Sequence, residues 1–396
     1  MYFCRDADAT CWLTDADMQP LIIPRIPLLV PELPTLDALT PYLRRIDQRR
    51  WYSNFGPLVS ELETRIAASF RQPGQLQSSH AVTVGNATSG IELALRALKL
   101  PRDSLVLVPA LTFVATATAV LSAGLTPVVA DVDADQWLLT PEIALDASRR
   151  MVLRAVVPVA TFGCAQDAAA WGQFHATTGL PVIIDAAAAF GNQLDPGPTC
   201  AVFSLHATKP LAAGEGGVVV THDAAFAATV RQLSNFGIDL SGEEGVPVGS
   251  TTLVGTNAKM SEYHAAVGLA SLDAWQLTVV RRRALFERYS AMLNAACNAG
   301  VQWQQMANDS VRSVCCLLLE TPEHRNNAEA VMAARGVGTR RWYLPLINRH
   351  PAFQHIQHLP TPRADDIAER LLGIPFHMSL TEQEMAVISD ALAAAI

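Results

Sequence analysis

Between residues 80 and 222 short apolar runs alternate with segments whose apolar positions recur at helical spacing. Runs at 81–84, 105–108, 127–132, 155–159, 182–184, 201–205 and 218–221 have the length of strands; helices are predicted over 91–98, over 112–122 and from Pro141 onward. Parallel strands need crossover connections, and helices supply them. The pattern therefore predicts an α/β fold with a mainly parallel sheet and helices on both faces, three layers in all. Ligands of such sheets sit outside the carboxyl ends of the strands. Residues 86–89, Phe113, Asp185, Ser204 and Lys209 fall there.

The flanks read differently. Leu36 and Leu39 lead into Thr40-Pro41, expected as the N-cap and first helical position of a short amphipathic helix whose apolar face holds Leu43 and Ile46. The aromatic loop 51–57 either packs under the domain or lines a pocket, and a second helix follows from Leu58. After a helix over 223–235, the Gly-, Ser- and acid-bearing stretch 237–255 is long for a connection and is expected to be functional or interfacial. One helical run over 261–292 then leads into a smaller α+β unit with a strand at 314–319 and a closing helix at 382–394. The Arg281-Arg282-Arg283 cluster reads as a solvated face of that run. The division expected is an N-terminal arm (1–30), a large domain (31–275) and a smaller C-terminal domain (276–396).

Composition narrows the function classes. Half of the 396 residues are hydrophobic and 17% are charged, which suits a globular chain. A net charge of −8 without a basic run argues against a general nucleic-acid binder. The seven cysteines are scattered without a C-x-x-C pair, which favours reduced thiols over a disulfide framework or a zinc site. No apolar stretch is long enough to span a membrane, and charges at Arg5, Asp6 and Asp8 interrupt the place of a signal peptide's apolar core. A cytoplasmic protein is expected.

Three stretches carry candidate chemistry. Ser204 and Lys209 enter a turn closed by Gly214, Gly216 and Gly217. A lysine there is either solvated or, if desolvated so that its pKa falls, a candidate Schiff-base amine. Gly85-Asn86-Ala87-Thr88-Ser89-Gly90 opens a helix, either as an anion site of free amides or simply as a helix start capped by Thr88 or Ser89. Asp185 ends an apolar strand, either as a helix N-cap or as a carboxylate facing a protonated pyridine nitrogen.

These segments, taken in order with Pro109-Ala110-Leu111-Thr112-Phe113-Val114-Ala115-Thr116, Pro127-Val128-Val129-Ala130-Asp131-Val132-Asp133, Gly255-Thr256-Asn257-Ala258-Lys259-Met260-Ser261-Glu262 and Arg340-Arg341-Trp342-Tyr343-Leu344-Pro345-Leu346, resemble the DegT/DnrJ/EryC1/StrS family. Its members are pyridoxal-phosphate sugar aminotransferases of the aspartate aminotransferase fold type. The resemblance implies pyridoxal 5'-phosphate as cofactor, carried by Lys209 as an internal aldimine. It implies Asp185 on the pyridine nitrogen and Phe113 stacked on the ring. Ala87, Thr88 and Ser204 would hold the phosphate, with Asn257 reaching the phosphate of a neighbouring subunit in a homodimer with shared sites. The implied reaction moves an amino group from a donor such as glutamate to a keto group, by resemblance that of a nucleotide-linked sugar. Family dehydratases carry His in place of the lysine; this chain keeps Lys209.

Three places depart from the family pattern, one of them the segment Leu372-Gly373-Ile374-Pro375-Phe376-His377, which matches only loosely. Ala188 stands where a Gln or His is usual, with Asn192 and Gln193 as candidate substitutes, and Lys259 stands where an Arg is usual. A non-catalytic or regulatory pyridoxal-phosphate-binding protein of the same fold is therefore the alternative to an aminotransferase.

Overall fold

The computed structural model describes residues 25–70, 78–239, 247–297 and 300–396. Most of the expected arm, part of the 237–255 connection, and Cys4 and Cys11 lie outside the described residues.

Seven predicted apolar runs become β1 (His80–Val84), β2 (Leu105–Pro109), β3 (Thr126–Ala130), β4 (Leu153–Val156), β5 (Ile183–Asp185), β6 (Cys200–Ser204) and β7 (Gly217–Thr221). They form one set in the order β1-β7-β6-β5 and another in the order β3-β2-β4. The bridges Val156–Val182 and Val159–Asp185 join the two sets. β7 runs antiparallel to both neighbours, and the remaining pairs are parallel.

The runs read as continuously apolar because both faces of the sheet are buried. Val106 and Val108 face one core with Val202 and Val219, while Leu107 faces the other with Ala201 and Val220. The first core is covered by α3 (Ala87–Ala97), α4 (Val114–Ser122) and α7 (Ala224–Ser234), through Ile91, Val120 and Val230. The second is covered by α1 (Leu36–Arg49), α2 (Pro57–Ser69), α5 (Pro141–Arg150), α6 (Ala168–Thr178) and α8 (Glu262–Asp273), through Ile46, Leu62, Ala144, Trp171 and Leu269. The three-layer α/β expectation holds.

Several local expectations do not. α1 starts a turn earlier than expected, with Thr35 accepting from Ala38 N as N-cap and Pro41 inside the helix. Thr40 bonds back to Leu36 O instead of capping. The single helical run over 261–292 breaks at Ala274 into α8 and α9 (Trp275–Ala296). The turn sets Trp275 edge-on against Phe190 at 5.2 Å, over Gly191, where a Cβ would lie 2.5 Å from the indole. Arg282 is not part of a solvated face. It is buried and donates to Arg312 O and Ser313 O, while Arg281 and Arg283 pair outward with Glu32 and Asp309.

In the C-terminal part β8 (Val301–Trp303), β9 (Cys315–Leu319) and β11 (Leu371–Ile374) form an antiparallel sheet in the order β11-β9-β8. α9, α10 (Pro322–Ala334) and α12 (Glu382–Ala393) cover it through Leu293, Met332, Ile388 and Leu392. Ile26, within the stretch expected to be an arm, is buried here, bonded to Gly336 O and Gly338 N. Part of the C-terminal stretch returns to the large sheet. β10 (Gln357–His358) pairs with β3, and Leu346, Ile347 and Phe353 join the first core with Ile367 of α11 (Pro362–Arg370). This return brings the segment around Tyr343 to the strand ends.

Candidate active site

The start of α3 is fixed from three sides. Asn86 is its N-cap, accepting from Ser89 N at 2.9 Å, so neither Thr88 nor Ser89 caps it. Gly85 N donates to Ala258 O at 2.7 Å. β7 passes so close that a Cβ on Gly217 would lie 2.7 Å from Ala87 N. Among the described residues the amides of Ala87 and Thr88 have no hydrogen-bond partner, leaving two donors at the positive end of the helix dipole.

Asp185 closes β5 and is 5% exposed. It caps no helix: residues 186–192 form turns. Its Oδ2 accepts from Thr116 Oγ1 at 2.8 Å and its Oδ1 from Ala187 N at 3.1 Å. Burial pushes its carboxyl up from the ordinary range, opposed by those two donors and the charge of Lys209.

Ser204 ends β6, its Oγ accepting from His206 N at 3.3 Å. The chain then folds tightly: Leu205 N bonds to Gly216 O, Ala207 N to Gly214 O, and Lys209 N to His206 O at 2.9 Å. Gly214 takes a φ of 82° and Gly216 one of 154°, conformations that an L side chain rarely adopts. This turn holds Lys209 packed round by protein, although part of its surface stays open. Among the described residues its amine makes no hydrogen bond. Desolvation lowers its pKa from the ordinary lysine value, with Asp185 acting the other way. His206, whose ring meets Thr208 Oγ1 at 2.9 Å, is lowered by burial and by Lys209, against the pull of Glu215.

Phe113 leads into α4 and is 50% exposed, although large aromatic rings are usually covered. Beside it stands Tyr343, 6.1 Å away centroid to centroid and stacked at 5.3 Å on Phe162. Burial raises the Tyr343 hydroxyl, and the Asp185 charge adds to that shift. Asp185, Lys209, Phe113 and Tyr343 are therefore neighbours. Sequence reasoning had Tyr343 and Thr116 within motifs without assigning either a place here, and it missed Phe162. A signal for Thr116 was its spacing of four residues from Thr112 at a predicted helix start, which can turn two side chains the same way.

Asn257 pairs with Asn235 in an isolated antiparallel bridge and is exposed. Its neighbour Ala258 carries the carbonyl that receives Gly85 N, and its own Oδ1 accepts from Lys259 Nζ at 2.7 Å. Asn192 and Gln193 do not stand in for the polar residue absent at Ala188. The Asn192 amide ties Gly163 O to Val311, and that of Gln193 ties residue 166 to Asp195 O.

Glu262, in the last of the motifs before the C-terminal unit, has a structural task. It is buried, and its two oxygens accept from Leu58 N and Val59 N at the start of α2. Among the described residues no cluster of His, Cys, Asp or Glu is placed to hold a metal ion, and no helix is long and apolar enough to cross a membrane.

A strand-end carboxylate, a desolvated lysine and the free amides of a helix start define a pyridoxal-phosphate enzyme of the α/β aminotransferase type. Residues 37–393 match the DegT/DnrJ/EryC1/StrS aminotransferase family, and the chain belongs to it. It is a pyridoxal-phosphate-dependent aminotransferase. It is 27% identical to the UDP-2-acetamido-2-deoxy-3-oxo-D-glucuronate aminotransferase of Pseudomonas aeruginosa, with 85% of this chain and 90% of that protein covered. It is also 27% identical to the dTDP-4-amino-4,6-dideoxy-D-glucose transaminase of Escherichia coli, covering 93% and 98%. Among solved structures, DesI in the presence of its TDP-sugar product superposes with a TM-score of 0.80 at 32% identity, covering 94% of this chain and 93% of that one.

Proposed function

We propose that the protein transfers an amino group from an amino acid, with glutamate the expected donor, to the keto group of a nucleotide-linked sugar. The convergence of Lys209 and Asp185 at the strand ends carries the chemistry. The nucleotide-sugar relatives support the class of acceptor.

Pyridoxal phosphate, when bound, supplies an electron sink for bonds at the substrate carbon. The residues present fit it. The amides of Ala87 and Thr88 and the hydroxyl of Ser204 would bind the phosphate, completed by the partner subunit's Asn257 in a homodimer. The exposed ring of Phe113 offers a face for the pyridine ring. Asp185 has one protein donor on each oxygen, which leaves acceptor capacity for a protonated ring nitrogen. Lys209 would hold the cofactor and, with its pKa lowered, its Nζ would serve to move a proton at the substrate carbon. The same reading assigns residues 31–275 to cofactor binding, 276–396 to a smaller domain, and the protein to the cytoplasm.

The competing reading, a regulator that binds the cofactor without turnover, is motivated by Ala188 and by the commitment of Asn192 and Gln193 elsewhere. Incubating the loaded protein with glutamate decides between them. An aminotransferase releases 2-oxoglutarate in proportion to subunits and then aminates a member of a panel of keto-sugar nucleotides. Absence of 2-oxoglutarate at full cofactor loading would exclude the glutamate-donor reading.

A further inference from the structure

We propose that Thr116 and Thr112 are positioning residues which keep Asp185 a carboxylate toward the cofactor, through a directed chain of hydroxyls. The proposal rests on the reading of Asp185 as the partner of the ring nitrogen.

Thr116 Oγ1 lies 2.8 Å from Asp185 Oδ2, and Thr112 Oγ1 lies 2.9 Å from Thr116 Oγ1. Both threonines are closed to bulk solvent, at 0% and 2% exposure. Phe113 lies between them in sequence and points the other way, half exposed. The start of α4 thus presents an exposed aromatic face and, to the buried acid, two hydroxyls.

Thr116 behaves unlike other helical threonines of this chain. Thr40, Thr64, Thr118, Thr229 and Thr278 each donate to the carbonyl four residues back. That is the default for a threonine in a helix. Thr116 gives up that bond and donates to Asp185.

The direction of the chain follows from donor counting. An ionised carboxylate only accepts, so the single proton of Thr116 must point at Asp185. The Thr116 oxygen is then an acceptor, and Thr112 supplies its proton. Both hydroxyl protons thereby point toward the acid. Hydrogen bonds aligned in this way polarise one another in a medium of low dielectric. They favour the charged form of Asp185 against the desolvation that opposes it. Lys209 and Tyr343 are the titratable groups that sense Asp185 from the facing elements, and Ala187 N is its remaining donor. Without Thr116 the proton shared between Asp185 and the ring nitrogen should move toward Asp185. A lost bond to a charged group corresponds to about a tenfold or larger change in that partition.

The test is the nitrogen-15 chemical shift of ring-labelled pyridoxal phosphate in the holoenzyme, measured by solid-state NMR. Thr116→Val keeps shape and loses the hydroxyl; Thr116→Ser keeps the hydroxyl and loses a methyl. The expected result is a shift toward the unprotonated position in Thr116→Val, near-native values in Thr116→Ser, and a smaller displacement of the same sign in Thr112→Val. A packing role alone would reverse the order, with Val benign and Ser damaging. Asp185→Asn separates the two levels of the argument. If it leaves the shift unmoved, the reading of Asp185 falls and this inference with it. If it moves the shift while Thr116→Val does not, only this inference is overturned. Should Thr116→Val fail to fold, an unmoved shift in Thr112→Val overturns it.

Discussion

Lys259 donates its ammonium to the side-chain oxygen of Asn257 at 2.7 Å, while sitting 4.5 Å above the ring of Phe236. An ammonium has only protons to give, so the oxygen of the amide must face it. The NH2 group is then turned outward as a donor, the orientation that a phosphate requires. Lys259→Met should weaken the affinity for pyridoxal phosphate by about two- to fivefold, the size expected for an exposed charged pair. Lys259→Arg should retain it. The loss should vanish in an Asn257→Ala background, and binding of pyridoxal without its phosphate should not change. Equilibrium titrations by fluorescence check all four; an equal loss in the Asn257→Ala background would show that Lys259 acts elsewhere.

The second prediction concerns stability. Glu262 is the sole described side-chain acceptor for Leu58 N and Val59 N, and Gly56 leaves it room: a Cβ at Gly56 would lie 2.5 Å from Glu262 Cδ. Removing the carboxylate strands two buried amides at a helix start. Glu262→Ala should cost on the order of 3 kcal/mol, and Glu262→Gln less, because one acceptor oxygen survives. Gly56→Ala should also destabilise, since the carboxylate must move. Urea denaturation of cofactor-free protein measures each. A Glu262→Ala midpoint equal to that of the native protein would remove the assigned role.

How much of this was legible in the sequence depends on what each signal reports. The seven apolar runs announced their strands because both sheet faces are buried, so alternate residues such as Val106 and Leu107 serve opposite cores. Asp185 and Ser204 stood out as candidates because each lies at the end of an apolar run, where ligands of such sheets bind, and Lys209 because a glycine-rich turn follows it. β10 was not legible, being two residues long and formed only because the chain returns to β3. The Thr40-Pro41 pair misled because two threonines five residues apart offer similar caps, and in the structure Thr35 takes the role. Thr116 stood in a motif without a role because a threonine in a helix usually serves its own backbone. Only the fold brings Asp185 within reach.

The third prediction follows from the lowered pKa of Lys209. Its folded value lies below the ordinary 10.5. Between the two values the unfolded chain holds a proton that the folded chain has lost. Stability of cofactor-free protein therefore rises with pH through that window. Lys209→Met should flatten this slope in the range just below the ordinary lysine value. It should also raise stability at neutral pH, a gain partly offset because Asp185 loses its cation. Denaturation midpoints across the range test the sign; an unchanged slope would mean that another group titrates there.

The fourth prediction turns on the contact between β7 and α3. A Cβ at Gly217 would lie 2.7 Å from both Ala87 N and Asn86 C, in backbone that cannot swing aside. Gly217→Ala should displace the free amides of Ala87 and Thr88 while leaving most of the sheet in place. Affinity for pyridoxal phosphate should fall by at least about tenfold, one charge-assisted bond's worth. Affinity for pyridoxal should fall far less. Equal losses for the two ligands would indicate general damage instead of a displaced phosphate site.

The last prediction concerns the proposed homodimer. Within one subunit the Asn257 side chain is exposed and held by Lys259, on a segment that also anchors Gly85 through Ala258 O. It stands at the rim of the site with its donor unused by the described residues. Two amides and one serine leave phosphate oxygens unfilled, and a further donor from a second copy would complete the set. A two-fold arrangement gives two equivalent sites, each using Lys209 of one subunit and Asn257 of the other. Lys209→Ala subunits should be inactive, and an Asn257 variant chosen for severe impairment nearly so. Mixing them with subunit exchange should restore activity, because in each heterodimer one of the two sites combines both intact residues. The yield should approach about a quarter of the native activity for a random equal mixture, since half the dimers are mixed and half their sites are whole. Native mass spectrometry confirms the exchange. Confirmed heterodimers without regained activity, or a monomer with full activity, would count decisively against shared sites.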